Sequence, residues 1–447
     1  MSKTANPAWC VVVCLALEVA GICQSSPVGK YNGPGGCASS SCHGSIQPKQ
    51  VTRVAQNEYS IWAGQDKHAR AFQVLSNSVS IRIGKILAIG RPDQSSKCLA
   101  CHALSVPIDQ RAESFELIDG VSCESCHGPA SGWLGPHTTR DWPHEKSVQL
   151  GMYDTRDLVK RSERCLTCHL GTPDKFVDHE MIAAGHPDLT FELNLFSAVM
   201  PKHWKDSSNE GWRGVQEWGV GEAVELQKGM DRLARRANSA NWPEYAELDC
   251  FACHHSLTKP EDSWRQEQGY PGRTPGVPAW NESRYVVFRH VVRKTNPDAA
   301  IQLDSDLRHL QSLLGQRNGN AQEIATTASH AASLAAQIAQ QLNARAYDQA
   351  TTLALMRAIA EDADSISAYG QRAAEQAAMS LDSLAVALEQ NSSSTSENPS
   401  LRQSIQQLFQ ELDNPSAYNA PRFATQMRKV SAVLSSESRD EKASARR

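Results

Sequence analysis

The chain has 447 residues, with 45 Lys and Arg against 49 Asp and Glu for a net charge of -4, and it is long enough for more than one domain. So balanced a charge excludes the basic field of a nucleic-acid-binding protein and any strongly acidic tail. The departure from the ordinary is the count of 13 cysteines, which in an exported chain points to disulfides or metal sites.

In chain order, residues 1–24 read as a signal peptide. Lys3 gives a weak positive start, Ala8 to Ala20 is an apolar run shorter than the roughly 20 residues that span a bilayer, and Val19-Ala20-Gly21 supplies small residues for cleavage. Glu18 is atypical of such a run. The expected location is therefore periplasmic. Cys23 would suit a lipid anchor, but Ile22 before it is bulkier than that processing site accepts, so the anchor is the weaker reading.

Residues 25–295 hold every remaining cysteine and are rich in Gly, Pro and Trp, with helical patterns only at Tyr59 to Leu75 and Glu222 to Ala237. From about residue 296 there is neither cysteine nor tryptophan, which marks a boundary near Asn296-Pro297. Ile324, Ala328, Ala331, Ala335, Ile338 and Leu342 recur at spacings of 4, 3, 4, 3 and 4, one face of a helix. Further helices are expected at 302–315, 347–366, 371–389, 400–412 and 421–435, with a polar linker at 391–399. The fold class is mainly α: a loop-rich domain with short helices, then a C-terminal antiparallel helical bundle over 296–447.

The ten cysteines downstream of Cys23 form five pairs, each followed at once by histidine: Cys37/Cys42-His43, Cys98/Cys101-His102, Cys123/Cys126-His127, Cys165/Cys168-His169 and Cys250/Cys253-His254. In c-type attachment two thiols add to the vinyl groups of a porphyrin, and the histidine after the second binds the iron. Zinc also uses CxxC pairs but gives no reason for a histidine after every pair. About five covalently attached haems c are the expected cofactors, with haem planes forming much of the N-terminal core. The first motif has four intervening residues, Ala38-Ser-Ser-Ser41, for which a local disulfide or a vestigial site is the alternative.

Iron held by one histidine has an open position, and the sequence offers candidates to fill it. His68 lies among aromatics in Trp62 to Phe72, and His137 ends a glycine-rich loop ten residues beyond His127. His179 and His186 would sit roughly 10 Å apart on a helix, enough to serve different irons. His255 cannot easily turn back on the haem of adjacent His254 and would reach a neighbouring one. His144 and His203 are reserves, whereas His309 and His330 fall in the bundle and read as structural. Mostly bis-histidine iron is the economical expectation.

With these residues in view, the chain resembles the multihaem c-type family that includes the tetrahaem electron-acceptor cytochrome of ammonia-oxidising bacteria, itself related to octahaem hydroxylamine oxidoreductases. The resemblance covers roughly residues 31–260. It rests on Gly36-Cys37 to His43, Asp66-Lys-His68-Ala with Phe72, and Cys123-Glu-Ser-Cys126-His127-Gly-Pro. Asp178-His179-Glu-Met with Ala184-Gly-His186-Pro, Met200-Pro-Lys-His203-Trp, and Trp242-Pro-Glu-Tyr with Cys250 to His255 complete it. It implies short helices around stacked haems, periplasmic electron transfer and redox partner proteins. Tetrahaem cytochromes of sulfate reducers carry a Cys-His-His run whose second histidine ligates another haem, which is the role implied for His255. The fifth motif and the long C-terminal bundle depart from the pattern.

Electron transfer through mostly six-coordinate haems is the leading expectation. The alternative is a multihaem oxidoreductase acting on a small nitrogen or sulfur compound at one five-coordinate haem, with its catalytic residues unknown. Against it, no motif ends in Cys-Lys, the pattern of pentahaem nitrite reductases, and no crosslinking tyrosine is identifiable. A third role, docking of the bundle on a membrane redox complex, is compatible with electron transfer.

Overall fold

The computed structural model describes residues 29–205, 211–240, 242–250, 253–254, 280–316, 319–391 and 399–444. The expected leader over 1–24 with Cys10, Cys14 and Cys23, the ligand candidate His255 and most of the linker at 391–399 lie outside these residues. Among the described residues the chain is helical, and extended pairing is confined to two isolated bridges, Tyr31 with Arg111 and Leu248 with Trp280.

The N-terminal part is made of short helices joined by loops and single 3-10 turns: α1 (Glu58–Gln65), α2 (Ser78–Ile86), α3 (Ser96–His102), α4 (Cys123–His127) and α5 (His144–Gln149). The helix expected over Tyr59 to Leu75 is broken at Asp66, which is extended and accepts a hydrogen bond from the His68 amide at 2.9 Å. An aspartate in that position caps a new start better than it continues an old helix, so 3-10 turns follow at Lys67–Arg70 and Gln73–Ser76. Up to residue 157 the fully buried apolar side chains are few among the described residues: Leu75, Ile83, Cys98, Leu99, Ala103, Ala130 and Trp133.

The middle of the chain supplies α6 (Leu158–His169), α7 (His179–Ala183), α8 (Leu193–Val199), α9 (Arg213–Ala237), α10 (Ser283–Val286) and α11 (Phe288–Thr295). α9 begins at Arg213, well before the expected Glu222, through a stretch whose Gly214, Gly219 and Gly221 have poor helix propensity. Packing overrides that propensity. A Cβ on Gly221 would lie 2.6 Å from the Leu193 Cβ, so the glycine is what lets α9 approach α8.

The C-terminal helices are α12 (Pro297–Leu314), α13 (Ala321–Asn343), α14 (Gln349–Glu361), α15 (Ala363–Ala368), α16 (Gln371–Asn391), α17 (Pro399–Gln410) and α18 (Ala420–Ser444). They follow the sequence expectation except at Asp362, where 347–366 divides into α14 and α15. The Asp362 carboxylate takes hydrogen bonds from Arg289 and His290 on α11. Pro297 at the first position of α12 and the Asn296 side chain accepting from the Ala299 amide at 3.1 Å start that helix where the composition changes. The apolar core nevertheless runs on across this point, as one cluster from Leu158 on α6 to Leu434 on α18. α9 lies at its centre against α6, α8, α13 and α16, so the elements carrying the fourth and fifth motifs are seated on the helical region. Among the described residues no helix is long and apolar enough to cross a membrane.

Candidate haem centres

Each motif is delivered by a local device. In the first, the four-residue spacer folds into a turn: the Cys42 amide donates to Ser39 O at 2.8 Å and the His43 amide to Cys37 O at 3.1 Å, which returns the histidine beneath its first cysteine. Gly44 closes the turn, and a Cβ there would lie 1.8 Å from the Ala38 carbonyl oxygen. The third motif is α4, started by a reciprocal Ser122–Ser125 capping box. Buried Glu124 accepts from the amides of Asn32, Gly33 and Ala130 at 3.0, 2.7 and 2.7 Å and so ties the loop before the first motif to the third.

The motif cysteines differ in exposure: Cys126, Cys250 and Cys253 are exposed, whereas Cys98 of the second motif is buried. The second motif lies in helix α3, but Cys253 belongs to a lone turn in which the amides of Cys253 and His254 donate to Cys250 O at 3.2 and 2.8 Å. Residues 251 and 252 between the two cysteines lie outside the described residues. The turn still puts Cys253 and His254 on the same side of Cys250 O, the arrangement a Cys/Cys-His attachment needs.

The thiols of different motifs meet. Cys37 lies against Cys123 and Cys101 against Cys168, which brings the first motif beside the third and the second beside the fourth. The neighbouring Cys101 holds the Cys168 thiol down, while desolvation lifts Cys126 to about 11 and Cys165 to about 12. None of the ten described cysteines is in a disulfide.

The histidines carry the strongest geometric signal. Two imidazoles on one iron, each with Fe–N of about 2.0 Å and a nitrogen about 1.15 Å from its ring centre, place their centroids about 6.3 Å apart. Four motif histidines have a second histidine ring at that spacing: His43 with His137 at 6.1 Å, His68 with His169 at 6.2 Å, His102 with His186 at 6.3 Å, and His179 with His254 at 6.2 Å. Direct ring packing would bring the centroids closer, as in the 4.9 Å contact of Phe191 with Phe196. The residues present therefore fit a haem between each pair. The interplanar angles are 6° and 28° for the His43 and His254 pairs and 84° and 87° for the His102 and His169 pairs.

Hydrogen bonds on the far nitrogen settle which atom faces the gap. Nδ1 of His43 meets Glu58 at 2.8 Å and Nδ1 of His68 meets Asp66 at 3.0 Å. In His102, His137 and His186, Nδ1 donates to the carbonyls of Ala71, Leu134 and Pro187 at 3.0, 2.6 and 2.8 Å. Each arrangement leaves Nε2 as the lone-pair donor, as metal-binding histidines require. Hydrogen bonding from the carboxylates raises His43 and His68 above the usual imidazole range, whereas burial lowers His169 to about 4 and keeps it neutral.

His127 differs. Its pKa is pushed down to about 4 by desolvation and then by the charges of His203 and His43, and among the described residues no second histidine ring stands at the iron-bridging distance. His203 is nearby with Nδ1 donating to Pro201 O at 3.1 Å, so its Nε2 is free for other use. His144, the other reserve, commits Nε2 to Asp154 at 2.9 Å. His309 and His330 sit in surface ion pairs with Glu323 and Asp306.

Sequence reasoning did not single out the buried charges that hold the last two motifs. Arg232 of α9 donates to the Leu170 carbonyl, directly after His169, and grips Glu247 through two hydrogen bonds of 2.6 and 2.9 Å just before Cys250. One turn on, Arg236 pairs with Glu244 at 2.7 Å, and Glu244 accepts from the His179 amide at 2.9 Å. Their only sequence signal is a run of arginines at the end of α9.

Residues 37–128 match the family model described as cytochrome c554 and c-prime, a stretch holding the first three motifs and His68. Cytochrome c-554 of Nitrosomonas europaea is 34% identical over 94 residues, which covers 18% of this chain and 39% of that relative. The chain thus spans well under half the length of the curated relative it matches. No solved structure matches the chain. Over residues 37–128, where three Cys/Cys-His motifs and the His68 turn are built, the chain is a match to the cytochrome c554 and c-prime family.

Proposed function

We propose that the chain is a periplasmic electron-transfer protein that binds about five haems c covalently, most of them between two histidines, and exchanges electrons with redox partner proteins. The observation that carries this reading is the set of four histidine pairs separated by the width of a bis-imidazole iron centre. When bound, the haems supply one-electron chemistry at iron. The chain's residues would do the rest: the cysteines would attach each porphyrin, the paired imidazoles would hold its iron, and carboxylates and carbonyls on Nδ1 orient those imidazoles.

The cysteine contacts support an order for the relay. The Cys37–Cys123 contact joins the His43 site to the His127 site, and the Cys101–Cys168 contact joins the His102 site to the His169 site. The thiols of Cys126 and Cys165 feel one another, linking the His127 and His169 sites. Lys97, before Cys98, pairs with Asp178 at 2.5 Å, beside the His179–His254 pair. The order supported is His43, His127, His169, His102, His254, with the two ends as exchange points for partners. The helical region from 296 onward then serves as the seat of α9 and the surface through which the protein docks.

A second reading, an oxidoreductase acting on a small nitrogen or sulfur compound, is favoured by the lone His127 ring. One measurement separates them. Intact mass with optical and EPR spectra of holo-protein should give five haems, and carbon monoxide should leave the reduced spectrum unchanged if all are six-coordinate. A carbon monoxide shift confined to one haem puts the oxidoreductase reading first, and a chain without haem refutes both.

A further inference from the structure

Glu192 precedes α8 and is 2% exposed. Its carboxylate receives hydrogen bonds from the amides of Asn194 at 2.9 Å and Leu195 at 2.7 Å and from the Ser383 hydroxyl of α16. Ser383 in turn accepts from the Asn194 side chain at 2.7 Å, which leaves its proton for Glu192. These donors are all neutral. The titratable groups facing it come from α9, and both are carboxyls: Glu217, already paired with Arg161 and Arg213 at 3.0 and 3.1 Å, and Glu222, which burial pushes well up toward its neutral form and which Gln376 at 2.6 Å and Ser380 at 3.3 Å hold. α16 contributes only Gln376, Ser380 and Ser383 to this region.

The two aromatic residues that bracket Glu192 both lie on a motif histidine. The rings of Phe191 and Phe196 are 5.3 and 5.2 Å from the ring of His169. A buried carboxylate without a cation is thus separated from one iron site by a single apolar layer. In such a medium an added negative charge on the iron side is felt strongly.

We propose that Glu192 is a redox-linked proton-binding site for the haem held by His169, taking one proton from solvent when that iron is reduced. The inference rests on the reading that His169 holds a haem. The iron gains one electron from the redox partner, passing from Fe(III) to Fe(II), and the carboxylate gains one proton to become the acid, so the charge of the pair is conserved. Burial lifts the Glu192 carboxyl to about 7, where it changes charge near neutrality.

The test uses full-length holo-protein and its E192Q variant, each first weighed intact for haem content. Both are reduced electrochemically at pH 7 in weak buffer with an indicator dye, and the haem midpoints are followed from pH 6 to 8. Wild type should show one midpoint falling by up to about 59 mV per pH unit, the value of a tenfold change for one electron. E192Q should lose that slope and take up as much as about one proton fewer. Equal uptake and an unchanged slope in haem-replete E192Q would overturn the proposal. S383A removes a hydrogen bond that favours the charged carboxylate, so its sloping window should move to higher pH with the same total uptake, and an unmoved window also overturns it. A wild type that carries no haem at His169 would instead overturn the parent reading.

Discussion

The ring planes of the four histidine pairs make a prediction about the oxidised holo-protein. In a low-spin bis-imidazole iron, parallel rings split the two iron orbitals that point between the ligands and give a rhombic EPR signal. Perpendicular rings leave those orbitals nearly degenerate and give a single feature at low field. The angles of 6° and 28° at the His43 and His254 sites put two centres in the first class, and 84° and 87° at the His102 and His169 sites put two in the second. The two classes should therefore integrate equally. H137A removes the partner of His43 and should halve the rhombic signal, raise a high-spin signal and leave the low-field feature intact. H186A should do the reverse. The assay is quantitative EPR with spin counting against haem content. Loss of the low-field feature in H137A, or an unchanged high-spin count, would refute the assignment of His137 to His43.

Further outcomes follow from buried groups. R232A leaves Glu247 buried without its main cation, a loss of about 3–5 kcal/mol visible in denaturant unfolding, and because Glu247 leads into Cys250 the fifth site should loosen first. Glu192 also makes stability pH-dependent. Burial lifts its folded pKa from near 4.5 to about 7, so its neutral form is favoured by folding and the protein loses stability as pH rises between those values. The loss amounts to about 3 kcal/mol, and E192Q should be more stable than wild type at pH 8 and equal to it at pH 4. Gly221→Val would drive its side chain into Leu193 and should cost about 1–3 kcal/mol in the same unfolding assay. Gly44→Ala sets a methyl against the Ala38 carbonyl, and intact mass should show one haem fewer while the other sites stay loaded.

The five Cys/Cys-His motifs and the helices of the C-terminal region are legible in the sequence because both are local: a cysteine pair with its histidine spans a few residues, and a 4-3-4-3 apolar face spans one helix. What joins them is not local. Nothing in the sequence assigns His68 to His169 or His137 to His43, since each pairing depends on where a loop is tied, by Asp66 at the break after α1 or by Leu134 O within the loop of His137. The exposure of Cys126 and Cys253 is hidden in the same way, because their motifs read like that of buried Cys98. α9 is obscured for a related reason. Its apolar face, with Val215, Trp218, Val224, Leu226, Met230 and Leu233 buried, is interrupted in sequence by glycine, glutamate and arginine, because the same helix also needs close approach at Gly221 and ion pairs at Arg232 and Arg236.

The same composition governs how the sites are held. An apolar contact tolerates small sliding, whereas a buried arginine that donates at once to Leu170 O and to Glu247 fixes the distance between the His169 and Cys250 motifs in both direction and length. Electron transfer needs fixed spacing between irons more than it needs stability at any one of them. Buried ion pairs add little net stability but impose geometry, and here they are concentrated where two motifs, His179 and one helix meet. R232K tests this separation of roles. It keeps the charge but loses the planar fork, so unfolding should change little while the EPR signal of the His179–His254 centre broadens or shifts. A variant with a wild-type spectrum and a large stability loss would show that Arg232 only stabilises the fold.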